Sequence, residues 1–166
     1  FVSLSALYGV FSLLIRMELS SSGTFLFSDG NQNGFYRAVT SHGLGMVFLF
    51  IMPGLISALG NFVLPHTYSG IDFATPRLNI LAFWLSIFAI QLLLVGISFH
   101  DGLSAGWTLY FPLTGIDFSS SASVSIGVFF LHVLGLSSEF GAITFLVSLA
   151  IAKSTGISVL HFCLVG

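Results

Sequence analysis

The sequence contains very little charge for a protein of its length. Asp, Glu, Lys and Arg make up 6% of its 166 residues, whereas soluble globular domains contain about 25% of these residues. Four basic and six acidic side chains cannot cover the surface of a water-soluble protein of this size, so most of that surface must face lipid or other apolar protein. The net charge of −2 also argues against binding to nucleic acid, which requires clustered Lys and Arg.

Cysteine and targeting signals are equally scarce. Cys163 is the only cysteine, which excludes an intramolecular disulfide, a cysteine-ligated iron–sulfur cluster and a Cys-rich zinc site. Residues 1–15 are apolar, but no basic segment precedes them and no small-residue cleavage site follows, so they are not typical of a signal peptide. Because the first residue is Phe rather than Met, we expect the chain to be processed or to be part of a longer protein.

Long apolar runs make up most of the chain, and 55% of its residues are apolar. A membrane-spanning helix needs about 20 mostly apolar residues. We predict four spans, at residues 1–17, 39–64, 78–99 and 124–152. Residues 157–166 are apolar but too short to span, and they predict the start of a fifth helix. The predicted fold class is therefore all-α, a single polytopic transmembrane helix bundle over residues 1–166.

The predicted spans are separated by segments rich in turn-forming and polar residues. Loops are expected at residues 20–33, 65–76 and 100–123. Within the second span, Pro53 should produce a local kink, because proline removes a backbone donor and its ring crowds the preceding turn. Gly54 and Ala58 lie four residues apart beside it, a spacing that allows close approach of another helix in a membrane.

His42 lies in the first turn of the second span. A histidine within a membrane span is costly unless it is paired or ligated. One interpretation is an axial haem ligand that binds iron through one ring nitrogen, with the small neighbours Gly43 and Gly45 letting a flat macrocycle approach the helix. The alternative is an interfacial histidine that only forms hydrogen bonds.

Arg16 ends the first apolar run, with Glu18 close to it in the sequence. The simpler interpretation is an arginine whose charged end reaches the membrane surface. The alternative is a donor to a polar group on a cofactor, because Arg stays charged and carries five N–H groups.

Three polar residues surround the loop between the second and third spans: Asn61, Asp72 and Asn79. An acid near a membrane surface, followed by amides that order water, is what a proton-uptake path requires. The alternative is ordinary loop chemistry, in which these side chains form Asx turns and helix caps.

The fourth span contains His132, Ser137, Ser138 and Glu139. His132 and Glu139 are seven residues apart, so they share nearly one helix face at about 10.5 Å along the axis. A carboxyl group at this depth is a functional candidate by default. The serines are open to two interpretations, because hydroxyls in spans also form helix–helix hydrogen bonds.

Several motifs occur in an order that resembles the N-terminal part of haem-copper oxidase subunit I, the main subunit of cytochrome c oxidase. They are Ser-Leu-Leu-Ile-Arg-Met-Glu-Leu at 12–19, His42 with Met46, Met-Pro at 52–53, Gly-Asn-Phe-Val-Leu-Pro at 60–65, Asp-Phe-Ala-Thr-Pro-Arg-Leu-Asn at 72–79, Gly-Trp-Thr-Leu-Tyr-Phe-Pro-Leu at 106–113, Leu-His at 131–132, Gly-Leu-Ser-Ser at 135–138 and Gly-Ala-Ile at 141–143. The resemblance is collinear over almost the whole chain.

The resemblance implies a role for each matching residue. His42 matches one axial ligand of the low-spin haem a, and Arg16 matches the arginine that hydrogen-bonds the formyl group of that haem. Asp72 matches the acid at the mouth of the D proton channel. The other residues expected along that path are Asn61, Asn79, Ser137, Ser138 and Thr144. Trp107 and Tyr110 match an aromatic loop near the haems.

The sequence departs from the family pattern at some of these positions. The family has an asparagine where Thr144 stands, which puts the D channel in question, although a threonine can still hold water. Glu139 replaces an apolar residue, and nothing in the sequence explains that change.

Other parts of the oxidase are expected outside this stretch. The resemblance implies that the second haem a ligand, the haem a3 ligand and the copper histidines lie C-terminal to it, so we expect no complete oxygen-reduction site in this chain. The implied partners are the C-terminal remainder of subunit I in the same or a separate chain, subunits II and III, cytochrome c and membrane lipid. The implied location is the mitochondrial inner membrane, with a bacterial plasma membrane as the alternative.

The function implied by the resemblance is electron transfer from cytochrome c to O2, coupled to proton pumping. A quinol oxidase is the nearest alternative. Two others are a transporter, in which Pro53 marks a broken helix around a central site, and a structural membrane subunit without a cofactor.

Overall fold

The computed structural model describes residues 2–21, 26–27, 32–67, 72–98, 102–119 and 121–154. All regular structure within these ranges is helical, which confirms the predicted fold class. The elements are α1 (Val2–Glu18), α2 (Gln32–Gly45), a π-helical segment (Met46–Ser57), α3 (Ala58–Thr67), α4 (Pro76–Ser98) and α5 (Ser121–Ser154).

Three helical stretches are long and apolar enough to cross a membrane: Asn33–His66, Pro76–Ser98 and Ala122–Ile151. They correspond to the second, third and fourth predicted spans. The first predicted span corresponds to α1, whose 17 residues extend about 25 Å at 1.5 Å per residue, somewhat less than the roughly 30 Å hydrocarbon core. The predicted fifth helix at 157–166 lies outside the described residues.

Several predicted loop boundaries are wrong, because residues 32–33, 65–67, 76 and 121–123 are helical. The second membrane helix begins seven residues before the predicted residue 39, at Gln32, and it continues through Pro65 to Thr67. Proline at 65 does not stop the helix, although proline inside a helix removes one backbone hydrogen bond. A loop at 65–67 was expected because proline is a common helix-ending signal, but the helical geometry persists here.

Pro53 produces a π-helical segment, where the sequence predicted a kink. The segment runs over 12 residues, and its end is marked by the Ala58 N–H, which points to the carbonyl of Pro53 five residues earlier. A proline ring in an α-helix clashes with the carbonyl four residues before it. The turns of the π-helical segment are wider than those of an α-helix. Such segments often occur at functional sites.

The core lies where α4 packs along α5 and where α1 packs against α2 and the π-helical segment. Small residues let the helices pack closely in this core, and one of them, Ala89 on α4, is completely buried. The buried core side chains are Tyr8, Leu44, Leu49, Ala89, Ile90, Leu93, Leu103, Phe130, Val133 and Leu134.

The segment 102–119 packs on α2 through one hydrogen bond and one close contact. The N–H of Gly106 donates to Thr40 Oγ1 at 3.0 Å. The Arg37 side chain lies against Gly102, and its guanidinium donates to the carbonyl of Ile97, at the end of α4, at 2.7 Å. Gly102 has a φ of 55°, and a β-carbon there would overlap the Arg37 guanidinium, so both the backbone and the space require glycine. These contacts hold Trp107 against α2, next to His42.

Candidate functional site

His42 is oriented by a hydrogen bond to α1. Its ring atom Nδ1 lies 2.9 Å from the backbone carbonyl oxygen of Tyr8. Because a carbonyl can only accept, Nδ1 must carry the hydrogen, and Nε2 of the neutral ring is then left with a free lone pair. Nε2 has no hydrogen-bond partner among the described residues. A metal-ligating histidine is oriented in this way, with its second nitrogen donating to a carbonyl.

The glycines beside His42 have a different role from the one predicted. A β-carbon on Gly45 would overlap the ring of Tyr8, and one on Gly43 would lie 3.3 Å from Trp107 Cβ. The prediction that both leave room for a macrocycle is therefore wrong, because protein side chains already fill that space. Their small size instead lets α1 and the 102–119 segment pack closely on α2.

Tyr8 is the residue at this site that sequence reasoning missed. Its ring fills the space at Gly45, and its carbonyl orients His42. Only 3% of its surface is exposed, and its hydroxyl has no hydrogen-bond partner within the described part of the chain. The sequence gives no signal for this role, since every residue has a carbonyl and Tyr8 lies in an unbroken apolar run.

Arg16 is exposed in the last turn of α1. It lies eight residues beyond Tyr8, about 12 Å along the axis and about 80° around it. It makes no hydrogen bond or ion pair with any residue the structure describes. Its acidic neighbour Glu18 instead accepts hydrogen bonds from the backbone N–H groups of Leu26 and Phe27, at 2.6 and 3.3 Å.

A second candidate site is a cavity of about 260 Å³ between the π-helical segment, α3, α4 and α5. We call it the amide cavity. Its lining residues are Pro53, Ser57, Ala58, Asn61, Asn79, Ala82, Phe83, Ser86, Ser137, Gly141 and Phe145. A smaller cavity of about 120 Å³ shares one wall with it and is also lined by Ser138. Since a water molecule occupies about 30 Å³ in the liquid, the amide cavity has room for several.

Asn61 and Asn79 meet across this cavity. Asn79 Nδ2 donates to Asn61 Oδ1 at 2.7 Å, and Asn61 Nδ2 donates to the carbonyl of Ser57 at 2.6 Å. Neither amide forms the Asx turn or helix cap that was the alternative interpretation. The structure therefore brings together two of the residues proposed for a proton path, although they are 18 positions apart in the sequence.

The other predicted path residues are divided between the cavity and its surroundings. Ser137 is buried and donates to the carbonyl of Ala82 on α4 at 2.6 Å. Ser138 is exposed and donates within its own helix, to Gly135, at 2.8 Å. Asp72 is exposed outside the cavity, where its carboxylate accepts from the Phe73 N–H at 2.9 Å.

Thr144 does not line the cavity. It is fully buried between α5 and the start of α4, where its hydroxyl donates to the carbonyl of Phe140 at 3.0 Å. The Thr75 hydroxyl lies 3.4 Å from it and donates to it. Ser148, one turn further along α5, accepts from the Ala74 N–H at 3.1 Å. Sequence reasoning missed Thr75 and Ser148, although Ser148 follows Thr144 at the four-residue spacing of one helix face.

The polar pair in the middle of α5 remains apart from both sites. His132 and Glu139 are exposed, and His132 Nδ1 lies 2.8 Å from the carbonyl of Val128 in its own helix. Among the described residues, no three His, Cys, Asp or Glu side chains are grouped so that they could hold a metal ion.

The helices and the two sites define a polytopic helical membrane protein with one oriented histidine and a cavity whose wall contains two amides and several hydroxyls. The sequence pattern of the family Cytochrome C and Quinol oxidase polypeptide I matches residues 2–165. The chain belongs to this family.

Similar proteins support the same assignment. The chain is 37% identical to cytochrome c oxidase subunit 1 of Yarrowia lipolytica over 157 residues, which is 94% of the chain and 29% of that protein. It is 39% identical to the Candida albicans subunit 1 over 88% of the chain and 27% of that protein. Against the Mytilus edulis subunit 1 it is 44% identical, over 81% of the chain and 24% of that protein. The chain thus spans less than a third of the length of these relatives.

Proposed function

We propose that this chain forms the N-terminal part of the main subunit of a terminal respiratory oxidase, and that it supplies His42 as one axial ligand of the low-spin haem a. The observation that carries the proposal is the His42 ring, which is held by the Tyr8 carbonyl through Nδ1. This leaves Nε2 free to bind iron. When bound, the haem accepts and passes on single electrons.

The chain's own residues prepare that site. The Tyr8 carbonyl fixes the tautomer and the plane of the His42 ring, and Trp107 packs against Gly43 beside it. Arg16 is proposed as the donor to the haem formyl group. The exposure of its guanidinium in the described structure supports this role, because no described residue competes for it.

The amide cavity is proposed as part of the D proton path. Asp72 would take up protons at the surface, and Asn61, Asn79 and Ser137 would order water within the cavity. Ser138 would extend this path into the neighbouring smaller cavity. Thr144 is proposed to act next to the cavity rather than in its wall. A cavity wide enough for several waters, with amide and hydroxyl groups in its wall to order them, can pass protons without exposing a bare charge to lipid.

We propose that the complete reaction also uses segments C-terminal to this stretch. We propose that electrons come from cytochrome c and reduce O2 at a centre whose haem a3 and copper are held C-terminal to this stretch, with protons pumped across the mitochondrial inner membrane. Subunits II and III are the proposed further partners. A quinol oxidase is the alternative within the same family. The three relatives named above favour cytochrome c as the donor, since all are cytochrome c oxidase subunits.

The test is to replace His42 with Ala in the assembled oxidase and to record the absorption of the low-spin haem. We expect the low-spin band to be lost, because one axial ligand is removed. The matched control is His132→Ala, which removes an exposed histidine from α5 and should leave the spectrum unchanged. An intact low-spin band in an assembled His42→Ala oxidase would contradict the proposal.

A further inference from the structure

The beginning of α4 is joined to α5 by a group of hydroxyls that are close in sequence to Asp72 and to residues that line the amide cavity. Thr75 is three residues after Asp72, and its carbonyl accepts from the Asn79 N–H at 3.3 Å. Across the helix interface, Thr144 is three residues beyond Gly141, which lines the cavity. Thr75 therefore lies between Asp72 and Asn79 in the sequence, and its hydroxyl is 3.4 Å from that of Thr144.

The hydrogen bonds of this hydroxyl pair run in one direction. The Thr144 hydroxyl donates to the carbonyl of Phe140 at 3.0 Å, and the Thr75 hydroxyl donates to Thr144 Oγ1 over a longer distance of 3.4 Å. A hydroxyl has one hydrogen and two lone pairs, and no described residue donates to Thr75 Oγ1. Within the described part of the chain the pair therefore offers more acceptors than donors, and a water beside it can donate to Thr75 Oγ1.

Burial makes Thr75 the accessible member of the pair. Thr144 is completely buried, whereas Thr75 is half-buried. The backbone around Thr75 is fixed, because the neighbouring Ala74 N–H donates to Ser148 at 3.1 Å and the Ser148 hydroxyl donates to the Thr144 carbonyl at 2.7 Å. The lone pairs of Thr75 are therefore held in place at the edge of the buried region.

We propose that Thr75 is a water-anchoring residue of the proton path, and that its lone pairs hold the water that connects Asp72 to the amide cavity. A hydrated proton donates hydrogen bonds and accepts almost none, so an acceptor-rich position suits it. The proton passes along the water, and Thr75 keeps its own hydrogen on Oγ1. This inference rests on the proposed proton path, and it makes Thr75 a positioning residue rather than a proton carrier.

The test compares Thr75→Val with Thr75→Ser in the assembled oxidase. Valine keeps the shape and loses the hydroxyl, whereas serine keeps the hydroxyl. We expect Thr75→Val to slow turnover about threefold to tenfold, the change that follows when a barrier rises by the net free energy of one typical hydrogen bond. Protons pumped per electron should fall as well, and Thr75→Ser should restore both. Ser98→Ala, which removes an exposed hydroxyl at the far end of α4, should change neither.

Asp72→Asn separates this inference from the function on which it rests. If Asp72→Asn leaves turnover and pumping unchanged, the proton path itself is refuted, and the role of Thr75 with it. If Asp72→Asn impairs pumping while Thr75→Val turns over normally, only the role of Thr75 is overturned. The haem spectrum of each variant reports whether it has assembled. Should Thr75→Val fail to assemble, Thr75→Ala provides the same comparison with serine, and normal turnover in it would equally overturn the inference.

Discussion

The two candidate sites are built in opposite ways. The His42 site fixes its ring with one backbone hydrogen bond and close packing, and it leaves Nε2 without a partner among the described residues. The amide cavity is lined by polar side chains from several helices of this chain. Both of its amides are hydrogen-bonded within the chain. The first site therefore leaves one ring nitrogen open to a group from outside these residues, whereas the amides of the second are already paired.

This difference determines which substitutions matter at each site. At the His42 site α1 and α2 are in close steric contact. A substitution that adds atoms between them should therefore be more destabilising than one that removes atoms. At the amide cavity the contacts are individual hydrogen bonds, so the effects should be smaller and should depend on the partner. Five substitutions, with their controls, test this contrast in order of decreasing expected effect.

Gly45→Ala should have the largest effect. Its methyl group would overlap the Tyr8 ring, so α1 and α2 would have to separate and the bond from His42 to the Tyr8 carbonyl would be strained. Overpacking of this kind costs about 1–3 kcal/mol. We expect lower thermal stability of the assembled oxidase and a shifted low-spin haem band.

Gly9→Ala is the matched control for Gly45→Ala. Gly9 is also in the α1–α2 pair, on α1, but a β-carbon there meets nothing within 4 Å. Alanine is favoured over glycine in a helix interior by about 0.5–1 kcal/mol. If both variants are equally stable, the packing of Tyr8 on Gly45 does not limit the approach of the two helices.

Asn79→Leu should have an intermediate effect. It removes the donor to Asn61 Oδ1, and cavity water can replace that donor only in part. We expect a loss of about 1–2 kcal/mol, within the usual cost of an unsatisfied polar group. The double variant with Asn61→Leu should lose less than the sum of the two single variants, by at least about 0.5 kcal/mol. Thermal unfolding of the assembled complex measures this cycle, and additive losses would mean that the amides do not interact.

Ser137→Ala should have a smaller effect, and Ser138→Ala smaller still. The Ser137 hydroxyl is buried and joins α5 to α4 through the Ala82 carbonyl, so its loss should cost about 1 kcal/mol. Ser138 is exposed and bonds within its own helix, so we expect a change within about 0.5 kcal/mol. Equal losses in thermal stability would contradict the difference in their surroundings.

The sequence predicted the features that depend on local composition. Apolar runs identified the three long spans because the thickness of the membrane sets a minimum helix length. His42 pointed to the first candidate site, because a histidine in a span needs a partner. Asn61, Asp72 and Asn79, grouped around one loop, pointed to the second.

The features that depend on distant contacts could not be predicted in this way. Tyr8 orients His42 through a carbonyl, which every residue has. Thr75 meets Thr144 across 69 positions, and no local pattern joins them. Pro53 predicted a disturbed helix, but proline alone does not distinguish a kink from the π-helical segment that the structure contains.

Tyr8→Phe should have almost no effect, and it is the most discriminating test of the His42 site. His42 bonds to the carbonyl of Tyr8 rather than to its hydroxyl, and the phenylalanine ring would fill the same space at Gly45. The Tyr8 hydroxyl is buried without a partner in the described structure, and burying such a group costs about 1–3 kcal/mol. Its removal should therefore leave the low-spin haem band unchanged and leave thermal stability equal or slightly higher. A loss of more than about 1 kcal/mol would mean that another part of the assembled oxidase bonds this hydroxyl. If the low-spin haem band also shifts, the group that bonds the Tyr8 hydroxyl lies on the haem side of the site.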